Sequence, residues 1–305
     1  MKTVLIGAGS DLGEHIDGSK FGPSQLLNDI KSSYKGEIIS FIQDDKIIKN
    51  RNLSDRRKNE YEINQFNTKI YHTILEQIKK GFFPITIGGD SSVSIASSLA
   101  SSTRFEDMGM IYISAHADFH TFKSTISGNI NGLSCAAITG YECAELRSFH
   151  THNNGIVINP KKTVIVGARN IERLEKDNLR YSGATCFTTE DLLQKGIESV
   201  MEEAFKIATD KTNGVHIVYN MDIFDPDFAS GVSIPEVDGI TIDNGMKILN
   251  ELLNRIHVIE SFDIVELNPL RDIDRKTEQV ALNILANTIQ KVEKYKNMEA
   301  EEKKY

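Results

Sequence analysis

The sequence predicts a single α/β domain built on a central, mostly parallel sheet of about eight strands. Short apolar runs of strand character alternate with amphipathic stretches of helical length along the chain, which is typical of repeated β-α-β units. The centres of the strand-like runs are apolar at successive positions, as in residues 111–113 (IYI) and 164–166 (VIV). Strands of this kind are covered by helices on both faces, so we expect three layers.

The expected elements follow one another in a regular order. Expected strands lie at 3–7, 37–42, 84–88, 109–114, 163–167, 184–187, 215–220 and 258–265. Expected helices lie at 22–33, 56–80, 91–101, 132–140, 170–180, 197–209, 243–255 and 276–296. No linker rich in Pro, Gly or Ser and no change in composition divides the chain, so we expect one domain over residues 1–305. Its last residues, 296–305, are expected to form a frayed, solvated helix end.

Composition limits the classes of function. Of the 305 residues 40% are hydrophobic and 26% are charged, and no run approaches the roughly 18 apolar residues that a membrane span needs. The net charge of -8 argues against a nucleic-acid partner. Three cysteines without metal-type spacing suit a reducing compartment. We therefore expect a cytoplasmic protein with neither a nucleic-acid nor a membrane partner.

The sequence lacks a complete dinucleotide-binding motif and a complete serine-hydrolase motif. Residues 7–13 (GAGSDLG) follow the first strand, but their glycine spacing differs from the dinucleotide-binding pattern. We interpret them as a structural loop at the edge of the sheet. Ser91 and Ser92 stand where serine commonly caps a helix, and no G-x-S-x-G elbow accompanies them. His150 and His152 lie in a polar loop and are expected on the surface.

Polar clusters follow three of the expected strands. Residues 88–92 (GGDSS), 114–120 (SAHADFH) and 220–226 (NMDIFDP) each begin where an apolar run ends. The carboxyl ends of the strands form the ligand-binding edge of an open α/β sheet. We therefore expect these three segments to meet at that edge.

The histidines and carboxylates of these segments predict a shared site. His116, Asp118 and His120 alternate along the chain, so their side chains would point to one side if the strand geometry continued. Asp222 and Asp225 follow a different strand. Two such clusters at two strand ends favour a common site over two separate hydrogen-bond networks.

Six motifs, in the correct order, resemble those of the arginase/agmatinase (ureohydrolase) family. That family carries G-G-D-H-S, D-A-H-x-D, S-G-N-x-H-G, V/I-G-x-R, D-x-D-x-x-D-P and E-V-N-P. This chain has GGDSS at 88–92, SAHAD at 114–118, SGNING at 127–132, VGAR at 166–169, NMDIFDP at 220–226 and ELNP at 266–269. The resemblance implies the three-layer αβα arginase-like fold. It also implies the hydrolysis of guanidino or amidino C–N bonds with paired manganese ions.

The resemblance further implies that half of the metal ligands are missing. The six ligand positions of the family are occupied here by Ser91, Ser114, His116, Asp118, Asn220 and Asp222. Serine and asparagine carry no charge at neutral pH, whereas Mn²⁺ needs anionic oxygens and imidazoles. Only Asp118 and Asp222 remain to oppose the four positive charges of two ions. We therefore expect no binuclear cluster and no tightly bound metal.

The resemblance places the remaining roles of the site as follows. Asn131 stands where the family has its catalytic histidine and cannot titrate in the working range. Asp118 and Glu266 are the candidate catalytic groups, and Glu266 matches the guanidinium-binding glutamate. The candidate ligand-binding residues are His120, Ser127, Asn129, Glu172, Glu175 and Glu266. Loop capping by Ser127 and Asn129, and a helix-surface position for the glutamates at 172 and 175, remain equally open.

These observations lead to one leading hypothesis and two alternatives. We expect an arginase-like protein that has lost the binuclear cluster, is weakly active or inactive, and binds a guanidino or amino-acid ligand or a partner subunit. The first alternative is an active hydrolase that holds one Mn, Zn or Ni ion through His116, Asp118 and Asp222. The second is a non-catalytic structural subunit. Family members are commonly trimers or hexamers, which implies a homo-oligomer.

Overall fold

Eight strands form the centre of the molecule. The structure is a computed structural model that describes residues 2–150 and 155–302, with side chains up to residue 295. The strands are β1 (Thr3–Gly9), β2 (Glu37–Ile42), β3 (Phe83–Gly88), β4 (Met108–Ile113), β5 (Thr163–Ala168), β6 (Thr185–Thr188), β7 (Gly214–Asn220) and β8 (Ile259–Val265). They form one parallel sheet in the order β2-β1-β3-β8-β7-β4-β5-β6. The predicted α/β class and strand number are confirmed, and the single-domain organisation stays a prediction.

Helices cover both faces of this sheet. They are α1 (Gly22–Ile30), α2 (Glu60–Lys79), α3 (Ser94–Phe105), α4 (Ser134–Ile138), α5 (Arg173–Ser182), α6 (Thr189–Lys195), α7 (Ile197–Ala208), α8 (Ile242–Asn254) and α9 (Lys276–Glu302). Helices α1 and α6–α9 contribute to one buried apolar cluster, and α2–α5 contribute to a second cluster. In the described parts of the chain, no helix has both the length and the apolar character that crossing a membrane requires.

The strands separate the two cores by their alternation. In β4, Ile111 and Ile113 pack into the first core, whereas Met110 and Tyr112 pack into the second. Successive side chains of a strand point to opposite faces of the sheet, so both faces of β4 must be apolar when helices cover both. This explains the unbroken apolar runs of the sequence.

Helix boundaries differ from the predicted ones where local turn chemistry decides them. The predicted helix at 56–80 begins only at Glu60, because Asn59 adopts a left-handed conformation with φ 54°. Helix α6 was not predicted, although Thr188 accepts a hydrogen bond from the backbone N–H of Asp191 and forms a capping box with it. Helix α9 is described to Glu302, beyond the predicted end at 296.

The prediction that His150 lies on the surface is wrong. Its side chain is buried, and its ring lies edge-on to Tyr71 of α2 at 5.5 Å between centroids. The Nδ1 atom of His150 lies 3.4 Å from the hydroxyl of Thr103 on α3. Because both neighbours are distant in the sequence, no local sequence pattern predicts these contacts. His152 lies outside the described residues.

The sheet order brings the predicted site segments together. Strands β3, β8, β7 and β4 are consecutive neighbours at the centre of the sheet. Ser91 follows β3, Glu266 follows β8, Asn220 ends β7 and Ser114 follows β4. All four therefore lie at the carboxyl edge of the sheet, where ligands bind in this class of fold.

Candidate functional site

A cavity of about 200 Å³ opens at this edge. Twelve residues that the sequence predicted for the site line it: Ser91, His116, Asp118, His120, Ser127, Asn129, Asn131, Glu172, Glu175, Asn220, Asp222 and Glu266. Ser114 lies directly beneath this lining and is fully buried. Asp225, which the sequence placed in the shared site, does not line the cavity. Its carboxylate accepts hydrogen bonds from the backbone N–H groups of Asp227 and Gly239 and so stabilises the loop after β7.

The segment after β4 reaches the cavity by a turn rather than by a continued strand. Strand β4 ends at Ile113, and Asp118 has a left-handed backbone with φ 50°. His116 and His120 nevertheless line the same cavity as Asp118. The prediction that the three side chains share one side is thus right in outcome, but its assumed strand geometry is wrong.

One group of residues around Asp222 forms a dense hydrogen-bond network, here called the histidine cluster: Ser114, His116, Asn220, Asp222 and Glu236. Asp222 accepts hydrogen bonds from the hydroxyl of Ser114 at 3.0 Å and from the backbone N–H of Ala115 at 2.9 Å. Asn220 donates its side-chain amide to the Ser114 hydroxyl at 3.3 Å and accepts the backbone N–H of Asp222 at 2.9 Å. Ser114 and Asn220, at two positions where the resemblance implies metal ligands, therefore orient Asp222.

His116 lies between two carboxylates. Its Nδ1 atom is 2.7 Å from Asp222 Oδ2, and its Nε2 atom is 3.2 Å from Glu236 Oε1. Desolvation lowers the pKa of His116, but the hydrogen bonds to Asp222 and Glu236 outweigh it and hold the pKa well above the usual value. A charged imidazolium donates through both nitrogens, whereas a metal ligand must be neutral. His116 therefore bridges the carboxyl groups of Asp222 and Glu236.

A second group of residues, here called the glutamate cluster, comprises Glu14, Asp90, Ser91 and Glu266. Glu266 follows β8 with φ 71°, and its Oε1 atom accepts the backbone N–H of Ser91 at 2.7 Å. Burial raises the pKa of Glu266 well above its usual value, and the nearby Glu14, Asp90 and Asp222 raise it further. This part of the cavity floor therefore concentrates carboxyl groups in a dry environment.

Asp118 lies between these two clusters. Its Oδ2 atom accepts hydrogen bonds from the hydroxyl of Tyr112 at 2.6 Å and from the hydroxyl of Ser91 at 3.3 Å. Burial is the main cause that raises the pKa of Asp118 to about 7. A carboxyl group with a pKa raised in this way is a candidate acid–base group of the cavity.

Two glutamates at the N-terminal end of α5, the N-cap residue Glu172 and Glu175, form another acidic wall of the cavity. The interpretation of Glu175 as helix surface is wrong, because Glu175 is buried and accepts the backbone N–H of Phe119 at 2.9 Å. Burial raises the pKa of Glu175 to about 7. Glu172 is more exposed and donates its backbone N–H to Glu175 at 3.3 Å. His120 Nε2 lies 3.6 Å from Glu175 and 3.7 Å from Glu172.

The rim of the cavity is formed by Ser127, Asn129 and His15, with Lys58 buried behind it. The hydroxyl of Ser127 accepts the backbone N–H of Asn129 at 3.2 Å, so the loop-capping interpretation is correct for Ser127, and both residues also line the cavity. The side-chain amide of Asn129 lies 3.0 Å from His15 Nδ1. Lys58 donates to the carbonyl oxygen of Ser127 at 2.6 Å. Burial lowers the pKa of His15, and the nearby Lys58 lowers it further.

The donor set does not match that of a binuclear manganese site. In the described part of the chain, no group of three or more His, Cys, Asp or Glu residues is arranged to hold a metal ion. His116, Asp118 and Asp222 line one cavity, but His116 and Asp222 bind each other. A site for a single ion formed by these three residues stays a prediction.

Comparison with known proteins settles the family. A model of the family described as "Arginase family" matches residues 1–290. This chain belongs to the arginase family. Two relatives, the arginases of Bacillus caldovelox and Bacillus subtilis, are 29% and 28% identical over 301 and 300 residues. These alignments cover 94% and 95% of this chain and 98% of each relative.

Solved structures of the arginase family agree with this assignment. The arginase of Bacillus caldovelox superposes with a TM-score of 0.85 at 28% identity, covering 93% of this chain and 97% of that one. The formimidoylglutamase of Bacillus subtilis has a TM-score of 0.76 at 18% identity, covering 95% of this chain and 87% of that one, and shows the fold alone. The predicted family and its three-layer fold are confirmed.

Sequence reasoning missed three residues that shape the cavity. His15 and Asn170 line it, and Glu236 contacts His116 from the loop after β7. Arg169 stabilises that loop by donating hydrogen bonds to the carbonyl oxygens of Asp222 at 3.1 Å and Glu236 at 2.8 Å. The V-G-x-R motif was the available signal, because its arginine has to bind a neighbouring loop.

Proposed function

We propose that this member of the arginase family binds an arginine-like guanidino ligand without a binuclear manganese cluster and hydrolyses it weakly or not at all. The observation that carries the proposal is the network in which Ser114 and Asn220 orient Asp222, and Asp222 in turn binds His116. Ser114 and Asn220 are neutral groups at the two positions where the family has its shared carboxylates.

The charges of the site support the loss of the two metal ions. Two divalent cations need several anionic oxygens close by, since desolvating each ion costs far more than one carboxylate returns. Ser91, Ser114 and Asn220 supply none of this charge. Asp222 already accepts hydrogen bonds from Ser114, Ala115 and His116.

The glutamate cluster supports a cationic ligand. Glu266 lines the cavity, and none of the described ion pairs involves it. A buried carboxyl group gains much from a cationic partner, because its ionised form is otherwise poorly solvated. A guanidinium group suits such a site, since its planar array of N–H donors matches a carboxylate and its charge persists at all ordinary pH values.

Polar side chains at the rim support a ligand of the amino-acid type. Ser127, Asn129 and His15 line the rim, whereas Glu266 lies on the floor. An amino acid with a guanidinium side chain presents its negative and positive groups in this order. The α-carboxylate would then accept hydrogen bonds from the side chains of Ser127 and Asn129.

Thermal stabilisation by ligands, combined with a urea assay, tests the proposal. We expect L-arginine to raise the melting temperature, agmatine to raise it less, and neutral L-citrulline to leave it unchanged. A ligand at 100 times its Kd stabilises a protein by about 2.7 kcal/mol. No urea should form from L-arginine in the presence of MnCl₂. Equal melting temperatures with L-arginine and L-citrulline would contradict the proposed ligand.

The same experiment separates the two alternatives. Urea release together with one bound Mn, Zn or Ni ion per chain would support a hydrolase that holds one metal through His116, Asp118 and Asp222, which share the cavity. If the protein shows no stabilisation by ligands and releases no urea, the result would support the structural-subunit hypothesis. We also propose, from the family alone, a homotrimer or homohexamer, and a monomer in light scattering would contradict it. A cytoplasmic location stays a prediction.

A further inference from the structure

Strand β2 forms one edge of the sheet and is open along its outer side. In the described part of the chain it pairs with β1 alone, in an unbroken parallel register from Glu37 to Ile42. The outer side of such a strand presents a row of backbone N–H and C=O groups to which another strand can be added. Residues 35–45, here called the β2 edge, therefore form a surface that fits a further strand.

The opposite edge of the sheet is protected, whereas the β2 edge is not. Strand β6 has only four residues, all buried or partly buried, and its pairing with β5 is irregular after Val166. Proteins commonly protect an edge with a short strand, an irregular ladder, a proline or a lysine. Residues 37–42 (EIISFI) form a longer strand that contains neither proline nor lysine. This edge is thus left able to pair.

Apolar side chains are exposed along β2. Ile38 is 38% exposed and Ile42 is 53% exposed. Because side chains alternate along a strand, both share a face of the sheet with Ser40. Ile39 and Phe41 point to the other face, where they pack against the core formed by α2–α5. Exposed apolar residues beside an open strand edge are typical of a contact surface.

In one antiparallel register, the sequence of β2 is complementary to itself. A twofold axis perpendicular to the sheet relates the two copies, so residues opposite each other point to the same face. This condition places one residue opposite its own copy. With Ser40 on the axis, Ile38 lies opposite Ile42 of the partner subunit, and Ile39 lies opposite Phe41 of the partner subunit. The exposed side chains of Ile38 and Ile42 then cover each other twice.

Charge also selects this register. It brings Lys35 opposite Asp45 of the partner subunit, just beyond the ends of the paired strands. Lys35 is exposed and belongs to none of the ion pairs among the described residues, and the side chain of Asp45 is 81% exposed although it contacts Lys20. Shifting the axis by one residue would place Glu37 opposite either Phe41 or Asp45. Either shift separates the apolar pairs, and the second opposes like charges.

We propose that the β2 edge is an interface between two copies of this chain, in which the two β2 strands pair antiparallel about Ser40 and join both sheets into one. None of the residues 35–45 lines the cavity, so the contact is separate from the proposed ligand site. A twofold contact combined with a threefold axis gives a hexamer. The inference therefore selects the homohexamer over the homotrimer, and it rests on the family-based proposal only for that number of copies.

Light scattering of the full-length chain and two lysine variants tests the interface. Ile42→Lys places a charge opposite Ile38 of the partner subunit, so we expect its molar mass to fall to half that of the unaltered chain. Leu193→Lys changes a residue of α6 that is 69% exposed and lies far from the β2 edge in the sheet order, and it should keep the full mass. Equal masses of Ile42→Lys and the unaltered chain, or an odd number of copies in the unaltered chain, would overturn the inference.

Charge reversal tests the register. Lys35→Glu sets a glutamate against Asp45 of the partner subunit on both sides of the axis, and we expect about tenfold weaker association of the two copies. Adding Asp45→Lys to the same chain restores opposite charges and should restore the association. A double variant that associates as weakly as Lys35→Glu would contradict this register.

A disulfide cross-link tests the contact without reference to the number of copies or to any ligand. Ser40→Cys places two thiols opposite each other at the axis, where Cβ atoms of facing residues come about as close as a disulfide requires. We expect a covalent dimer under mild oxidation in non-reducing electrophoresis. The three native cysteines are buried or partly buried, and Ser199→Cys provides an exposed control on α7. No covalent dimer from Ser40→Cys, or an equal yield from the control, would overturn the proposed pairing.

Discussion

The histidine cluster and the glutamate cluster lie in one cavity but differ in how their acidic groups are satisfied. Asp222 in the histidine cluster accepts hydrogen bonds from two side chains and a backbone N–H group. In the glutamate cluster, Glu14 has a buried oxygen that lacks a hydrogen-bond partner among the described residues, and Glu266 lies in the cavity floor. One cluster is complete without a ligand, whereas the other still lacks positive charge.

This difference separates two tasks that the family combines in one cavity. A site for two divalent ions must hold uncompensated negative charge, and we propose that neutral Ser114 and Asn220 replace that charge in the histidine cluster. A site for an organic cation needs fewer charges, because a guanidinium ion carries one unit and is weakly hydrated. We propose that the glutamate cluster serves this second task.

The largest expected effect comes from restoring the charge of the metal ligands. Combining Ser91→His, Ser114→Asp and Asn220→Asp should create manganese binding, since two shared carboxylates and an imidazole return together. We expect affinity to rise by about 10⁴-fold, or about 5.5 kcal/mol, in a calorimetric titration with MnCl₂. A control with Ser91→Asn and Ser114→Asn changes two of these positions without adding charge. Equal affinities in variant and control would show that the assigned ligand positions are wrong.

Removing the acceptor at the centre of the histidine cluster should unfold the protein more readily. Asp222→Ala leaves His116 and the backbone N–H of Ala115 without their partner. We expect a loss of about 3–5 kcal/mol in the free energy of unfolding, measured in urea. Asp227→Ala, at an exposed position of the following loop, should stay within about 0.5 kcal/mol of the parent. Similar stability of the two variants would refute the network.

The ligand-free protein should lose stability as pH rises. The folded state raises the pKa of Asp118 and Glu175 to about 7 and of Glu14 to about 8. Between the ordinary carboxyl pKa near 4.5 and these values, the folded state holds more protons than the unfolded state. Its stability therefore falls by up to about 1.4 kcal/mol per pH unit for each group. Urea unfolding from pH 5.5 to 8.5 measures this fall.

The same titration contains its own control. Glu14→Gln should flatten the fall in unfolding free energy at its alkaline end, where Glu14 alone among the three groups still titrates. Saturating L-arginine should flatten it as well, because a bound cation stabilises ionised carboxyl groups. Stability that rises throughout this pH range would contradict the assignment of unpaired acids to the cavity.

The smallest effect is expected at the rim. Ser127→Ala removes a hydroxyl that lies beside Asn129 in the cavity wall. We expect about fivefold weaker binding of L-arginine, or about 1 kcal/mol, because one hydrogen bond to the α-carboxylate is lost. Agmatine lacks that carboxylate, so its affinity should not change. An equal loss for both ligands would place the carboxylate elsewhere.

Much of the fold was predictable from the sequence because a strand that is buried on both faces has consecutive apolar residues. Each predicted strand has a counterpart in the sheet, since apolar runs such as 111–113 have no other stable environment. Helix α6 was missed because seven residues carry too little periodicity. His150 was misplaced because its partners lie on α2 and α3, which no local pattern connects with it.

The site was predictable where a motif fixed it and not where the fold assembled it. His116, Asp118 and Asp222 follow strand ends, so the order of motifs located them. Glu236 reaches His116 from a loop without periodicity, and its contact depends on how Arg169 fastens that loop. Glu14 stands in a glycine-rich loop whose spacing gave no hint that its carboxyl group is buried, because one of its partners, Ser233, is distant in the sequence.

Metal analysis after dialysis against excess MnCl₂, followed by desalting, tests the central claim most directly. The unaltered protein should retain far less than one equivalent of manganese per chain and should release no urea from L-arginine. Two retained equivalents, with urea release, would contradict the account, because the neutral residues of the histidine cluster would then be compatible with a full pair of divalent ions.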